Sequence, residues 1–176
     1  MTPYELAKKE IGTVEWAKGD NPKVVAYFRD SGNPGVKSDT TAWCAAFVGA
    51  MLARAGVKPT GKLNARSYLD WGVEVDPANI MEGDVVVFKR GTSSWEGHVG
   101  FAAGKPKDGK IMVLGGNQSD AVNIKPQNMT AFLGARRAAS KPVADKKPAD
   151  PVVKPPPASG LWALLRAILK WLGGRK

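Results

Sequence analysis

The chain contains one cysteine and one histidine, and these two side chains could together hydrolyse an amide bond. Cys44 lies in TTAWCAAFVGAMLARAG and His98 lies in GHVGF. A thiol becomes a nucleophile when a neighbouring imidazole takes its proton, and the same imidazole can later protonate the leaving amine. A lone cysteine more often packs as a small hydrophobe, however, and a lone histidine is more often structural. Whether the two residues are catalytic or structural therefore depends on the helices and strands that carry them.

Helical periodicity predicts a helix over Trp43–Ala55, with Gly56 placed where a left-handed helix end favours glycine. Cys44 then lies in the first turn, where unpaired N–H groups and the helix dipole favour the reactive thiolate. His98 falls on a predicted strand that follows the apolar strand GDVVVF, and glycines on both sides leave its ring room. The pattern therefore favours a pairing of thiol and imidazole.

The remaining pattern predicts an α+β domain, with N-terminal helices packed on an antiparallel β-sheet. Residue types that favour helix starts predict three more helices. These are Pro3–Ile11 with Thr2 as its N-cap, Pro22–Asp30 with Asn21 as its N-cap, and Ala65–Trp71 with Asn64 as its N-cap. Strands are predicted after Gly83 in the segments DVVVFKR, HVGFAAG, KIMVLGG and AVNIKP.

A third polar group is needed to fix the tautomer and the orientation of the histidine ring. Asn117 is our candidate, because it follows the next predicted strand within LGGNQSD. An ordinary turn asparagine is an equally good interpretation of the residues alone. Gln118 and Asp120 are competitors for the same role.

Composition predicts three segments: a catalytic domain over residues 1–139, a Pro/Lys-rich linker over 140–159 and a basic amphipathic helix over 160–176. The net charge is +10, of which +6 lies from Lys141 onward. Such a charge suits polyanions, including an acidic wall, anionic lipid or lipopolysaccharide. The start lacks the pattern of a signal peptide, so we expect synthesis in a host cytoplasm and action on the cell wall after release.

The last segment has an apolar face from Leu161 to Leu172. A helix of that length spans about 18 Å, so we expect it to lie in a membrane interface rather than to cross a bilayer. The alternative is that its apolar face docks on the catalytic domain or on another copy. The predicted membrane-binding residues are Trp162, Leu165, Arg166, Ile168, Lys170 and Trp171.

The motifs DTTAWCAAFV, GDVVVF, GHVGF and LGGNQ, in that order, resemble the papain-like cell-wall hydrolases of the CHAP kind (cysteine, histidine-dependent amidohydrolases/peptidases) and their NlpC-type relatives. The likeness covers roughly residues 3–138, including ARSYLDWG, and is strongest to a compact group found largely in bacteriophage and prophage lysis regions. It implies a papain-like fold and cleavage of amide bonds in peptidoglycan.

The resemblance also implies roles for individual residues. Cys44 is the implied nucleophile, His98 the general base and Asn117 the orienting residue. The Cys44 backbone N–H would contribute to the oxyanion hole. No glutamine precedes the cysteine as it commonly does in papain-like proteases, so Asp39, Thr40 or another backbone group would supply the second donor.

Substrate contacts are predicted at Asp39, Trp43, Trp95 and Gln118. Trp43 is chosen because it adjoins Cys44, whereas Trp95 could form a cleft wall or merely pack on the surface.

Other chemistries fit the residues less well. A zinc amidase needs two or three imidazole or thiolate ligands, and the chain has one of each, so we expect no metal and no cofactor. A muramidase needs two carboxylates that act as general acid and as its partner. The N-terminal region offers carboxylates, but their spacing does not identify such a pair among Glu5, Glu10, Glu15 and Asp20. Nucleic-acid-binding motifs are missing, so we expect no nucleic-acid partner, and we expect a monomer.

The predicted function is therefore that of an endolysin-like peptidoglycan hydrolase with a membrane-active C-terminal helix. Two alternatives remain. One is an interbacterial amidase toxin, which would share the site. The other is a non-enzymatic, membrane-active protein that only binds the wall.

Overall fold

The computed structural model of the chain describes residues 1–139, so the predicted linker and amphipathic helix lie outside the described residues. Three α-helices come first: α1 (Pro3–Lys9), α2 (Pro22–Asp30) and α3 (Cys44–Arg54). The predicted caps are present, since Thr2 and Glu5 form a capping box before α1 and Asn21 caps α2. Gly56 takes the predicted left-handed conformation, with φ of 75°.

Six antiparallel strands form one sheet in the order β1-β6-β2-β3-β4-β5. Their bounds are β1 Val73–Val75, β2 Val85–Lys89, β3 Gly97–Ala102, β4 Lys110–Gly115, β5 Asn123–Asn128 and β6 Phe132–Arg137. The predicted segment behind Asn64 forms a 3₁₀ helix over Ala65–Asp70. The α+β prediction is confirmed, whereas β1 and β6 were not predicted.

Two apolar clusters cover the two faces of the sheet. The larger cluster joins the three helices to one face through residues such as Phe47, Val87 and Phe101. The smaller cluster lies on the other face and includes Phe88 and Val113. Because α3 is buried from Cys44 to Leu52, the start of this helix is held firmly against the sheet.

No helix within residues 1–139 has the length and apolar character that crossing a membrane requires.

Candidate active site

Cys44 is the first residue of α3 and lies at the wall of an open cleft of about 430 Å³. Trp43 precedes the helix without capping it through its side chain. The cysteine is a free thiol and is only 5% exposed. The helix thus presents a single, shielded sulfur atom to the cleft.

His98 lies near the start of β3, opposite Phe88 on β2, and is 2% exposed. On its other side, β3 pairs with β4 only at Phe101 and Ala102. The part of β3 that carries the histidine is therefore not paired with β4, and the turn that follows β4 brings Gln118 to the ring. His98 Nε2 lies 3.0 Å from Gln118 Oε1.

The contacts of Gln118 determine which ring nitrogen carries the proton. Its Nε2 donates to the backbone carbonyls of Val113 at 3.1 Å and Asn123 at 2.8 Å. Carbonyl oxygens only accept, so the amide oxygen must face His98, where it accepts the Nε2 proton. The other nitrogen, Nδ1, then carries the lone pair, which is the form that a general base requires.

Nδ1 of His98 is buried and has no hydrogen-bond partner within residues 1–139. The thiol of Cys44 lies beside the same strand, close enough to the backbone amide of Val99 for that amide to oppose the rise in the thiol pKa. The thiol therefore lies beside the strand that carries the imidazole, and the two groups are not hydrogen-bonded to each other in the described structure. Catalytic hydrogen bonds are often long without substrate and shorten when it binds.

Burial governs the charge of both groups. It raises the pKa of the Cys44 thiol, although the Val99 amide and the Arg90 guanidinium act in the opposite direction. It also lowers the pKa of His98 to about 4, with Arg90 adding to the shift and the Gln118 hydrogen bond opposing it. At pH 7 the resting pair is a neutral thiol and a neutral imidazole, so the start of α3 does not by itself hold a thiolate, contrary to expectation.

Asn117 does not take the orienting place that we predicted for it. Its backbone is left-handed, with φ of 55°, and it is half-buried. Among the described residues the side chain that is hydrogen-bonded to the histidine ring is that of the next residue, Gln118, which was one of the two predicted competitors. The left-handed turn accounts for the difference, because it brings the side chain of residue 118 to the ring instead of that of residue 117.

Two predicted substrate contacts have no free surface. Trp43 is fully buried, stacks on Tyr27 at 5.8 Å and donates its indole proton to Glu15 at 2.6 Å. Asp39 is also fully buried, and its Oδ2 accepts backbone protons from Trp16 and Asn21. The predictions of substrate contact at Trp43 and Asp39 therefore conflict with the described structure, since both side chains hold loops together. Asp39 is also an acceptor here, which does not suit an oxyanion donor.

Trp95 does line the cleft and is 66% exposed. The sequence analysis missed two arginines of this region. Arg66 donates to the backbone carbonyls of Glu96 at 2.7 Å and Ser93 at 3.0 Å, which fixes the loop that carries Trp95. Arg90 is exposed and lines the cleft together with Cys44. These long-range contacts leave no local sequence signal.

Both glycines of LGGNQ allow close packing around the site. A Cβ at Gly115 would lie 3.2 Å from His98 Nε2, and a Cβ at Gly116 would lie 2.4 Å from the Trp43 ring. A side chain at Gly116 would therefore push the turn away from α3. Within residues 1–139 there is no group of three or more His, Cys, Asp or Glu side chains arranged to hold a metal ion.

Two solved structures resemble this one. The crystal structure of the wild-type endolysin LysIME-EF1 matches with a TM-score of 0.53 and 16% identity, covering 81% of this chain and 67% of that chain. RipD from Mycobacterium tuberculosis, described as a non-catalytic NlpC/p60 domain protein adapted to peptidoglycan binding, matches with a TM-score of 0.44 and 15% identity, over 78% of this chain and 98% of that chain. At such identities the endolysin likeness shows the fold alone.

A comparison with curated proteins gives no match. The family model of the CHAP domain matches residues 36–117, a range that contains both Cys44 and His98. Residues 36–117 are therefore similar to the CHAP domain, which confirms the predicted resemblance to proteins of the CHAP kind.

Proposed function

We propose that the protein hydrolyses amide or peptide bonds of bacterial peptidoglycan by a Cys-His thiol mechanism. One observation carries the proposal. The single thiol of the chain lies at the wall of an open cleft and beside the strand that carries a buried imidazole nitrogen without a hydrogen-bond partner among residues 1–139. The CHAP family and the endolysin fold support peptidoglycan as the substrate.

The proposed reaction begins when Cys44 Sγ attacks the carbonyl carbon of the scissile amide while its proton moves to His98 Nδ1. The tetrahedral intermediate collapses to a thioester, and the leaving amine takes the proton from Nδ1. Water then attacks the thioester, giving its proton to Nδ1, and the thiol is restored with a new carboxylate released. A neutral resting pair suits this sequence, because the proton is transferred during attack.

The backbone N–H of Cys44 is the proposed oxyanion donor, because it belongs to the first residue of α3, where helix N–H groups have no partner within the helix. Thr40, which is exposed, or another backbone group remains the candidate for the second donor.

Gln118 is proposed to position His98, and a pair of neighbouring variants tests this. Gln118→Met removes the amide at similar volume and should lower kcat by about 10- to 100-fold with little change in KM, because the ring loses its preferred tautomer. Asn117→Gly removes the adjacent side chain and keeps the left-handed backbone, so its rate should stay within about twofold of wild type. A larger loss with Asn117→Gly than with Gln118→Met would restore Asn117 as the orienting residue.

Purified, outer-membrane-free walls test the function itself. The wild-type protein should clear a suspension of such walls and release new amino groups without new reducing sugar ends. Release of reducing ends would indicate a muramidase instead. Binding to walls without any new chemical ends would favour the non-enzymatic alternative.

The interbacterial amidase toxin shares the proposed chemistry and differs in its genetic surroundings. Pore and spanin genes beside the gene would favour lysis, whereas a small adjacent immunity gene would favour the toxin.

For the part of the chain beyond residue 139, we propose the organisation given by composition, with a linker over 140–159 and a membrane-binding segment over 160–176. Deleting residues 140–176 should spare hydrolysis of purified walls and strongly weaken killing of intact Gram-negative cells from outside, because apolar burial and attraction to anionic lipid are both lost. The double variant Leu165→Lys with Ile168→Lys should imitate the deletion. Loss of activity on naked walls would instead indicate a structural role for the tail.

A further inference from the structure

Arg90 differs from the other arginines of the described domain. Five arginines within residues 1–139 are engaged by carboxylates or backbone carbonyls, namely Arg29, Arg54, Arg66, Arg136 and Arg137. Arg90 alone makes no hydrogen bond or ion pair there. It follows the end of β2 directly and lines the same cleft as Cys44. Its guanidinium therefore has its full donor set available for a ligand.

The charge of Arg90 acts on the reacting groups. It opposes the rise in the pKa of the Cys44 thiol and contributes to the lowered pKa of His98. Arg90 is exposed, yet it lines the same cleft as Cys44, which places its side chain on the same side of the domain as the thiol. A substrate group that reaches Arg90 is thus close to the scissile amide.

The one acidic side chain of residues 1–139 that lines the cleft already has a hydrogen-bond partner within the domain. Glu96 lines the cleft, but its Oε2 accepts a hydrogen bond from Ser93 Oγ at 2.5 Å. The loop is held further by Arg66, which donates to the backbone carbonyls of both residues. This part of the cleft wall is therefore preformed, and no ion pair within residues 1–139 joins Arg90 to Glu96.

We infer that Arg90 is a specificity-determining residue that binds a free carboxylate of the substrate peptide close to the scissile amide, with the exposed indole of Trp95 covering the adjacent part of the chain. This inference rests on the proposed function. Guanidinium and carboxylate match in a planar, two-bond geometry that a lysine ammonium or an amide cannot reproduce. The substrate class is thus a wall peptide whose carboxylate beside the cleavage site is free rather than amidated.

The test compares one synthetic wall peptide in two forms, with that carboxylate free and with it converted to the primary amide. For the wild-type protein, kcat/KM should be about 10- to 100-fold higher for the free carboxylate, the range expected of a hydrogen-bonded ion pair. In Arg90→Gln this ratio should fall to about one, and in Arg90→Lys it should be intermediate. Lys89→Gln removes an equal charge from the neighbouring exposed residue and should keep the wild-type ratio.

Binding of both peptides to the Cys44→Ala protein, measured by calorimetry, separates recognition from turnover. The inference is supported if the peptide with the free carboxylate binds more tightly and if adding Arg90→Gln removes this preference. If that preference is found but the wild-type protein hydrolyses neither peptide, the proposed function fails while the inference stands. Equal binding and equal kcat/KM for the two peptides would overturn the inference and leave the hydrolase intact. A ratio unchanged in Arg90→Gln would overturn it as well, since the arginine would then act only on the catalytic pair.

Discussion

Replacing Cys44 by serine should lower the rate of wall hydrolysis by about 10³-fold or more. The hydroxyl has nearly the same shape as the thiol, but its proton is much harder to remove. The burial that lowers the pKa of His98 to about 4 makes the imidazole a weak base, which takes a proton far less readily from an alcohol than from the more acidic thiol. The measurement is the initial rate of amino-group release from purified walls.

The same assay on His98→Gln should show a loss of similar size, because the side chain no longer takes the thiol proton. Urea unfolding of each variant provides the control for folding, and the midpoint of Cys44→Ser should stay close to wild type. A folded Cys44→Ser protein that still hydrolyses walls at the wild-type rate would remove the thiol from the mechanism.

The stability of the domain should depend on pH through His98, which is the single histidine of the chain. Its pKa is about 4 in the folded protein, against 6.5 for the ordinary side chain. Well above pH 6.5 neither the folded nor the unfolded state binds the proton. As the pH falls below 6.5, the unfolded chain takes up a proton that the folded protein does not, so the free energy of unfolding decreases. Between pH 7 and pH 5 the loss should be about 2 kcal/mol.

Urea unfolding at several pH values checks this expectation. His98→Gln cannot titrate, so its free energy of unfolding should be nearly constant between pH 7 and pH 5. Carboxylates whose pKa is lowered, such as Glu10 and Asp30, lose their contributions at lower pH and do not affect this window. Parallel pH profiles for wild type and His98→Gln would mean that the histidine is not buried as described.

Local signals were sufficient to predict the helices and to single out the two residues of the proposed catalytic pair. Thr2, Asn21 and Asn64 all cap the elements that they were predicted to begin, because a cap depends on only a few neighbouring residues. Cys44 and His98 could be named because the chain has one thiol and one imidazole. Strands β2 to β5 were predicted because turn residues separate the segments that form them.

Features that depend on distant contacts were not predictable. Strand β1 has only three residues, and β6 (FLGARR) contains a glycine and two arginines, so neither shows a clear strand pattern. The choice between Asn117 and Gln118 depends on a turn with positive φ at Asn117, Ser119 and Asp120, which periodicity does not describe. Arg66 and Arg90 join the site across long sequence distances and were therefore missed.

The measurement that tests the central claim most directly is mass analysis of muropeptides after digestion of purified walls in water enriched in ¹⁸O. Amide hydrolysis by the proposed mechanism should yield paired fragments, one with a new amine and one with a new carboxylate that carries a heavy oxygen, and the masses should identify the bond. Cys44→Ser should give neither fragment. Intact muropeptides with the wild-type protein, or new reducing sugar ends in place of amines and carboxylates, would contradict the assignment of this site as a thiol amide hydrolase.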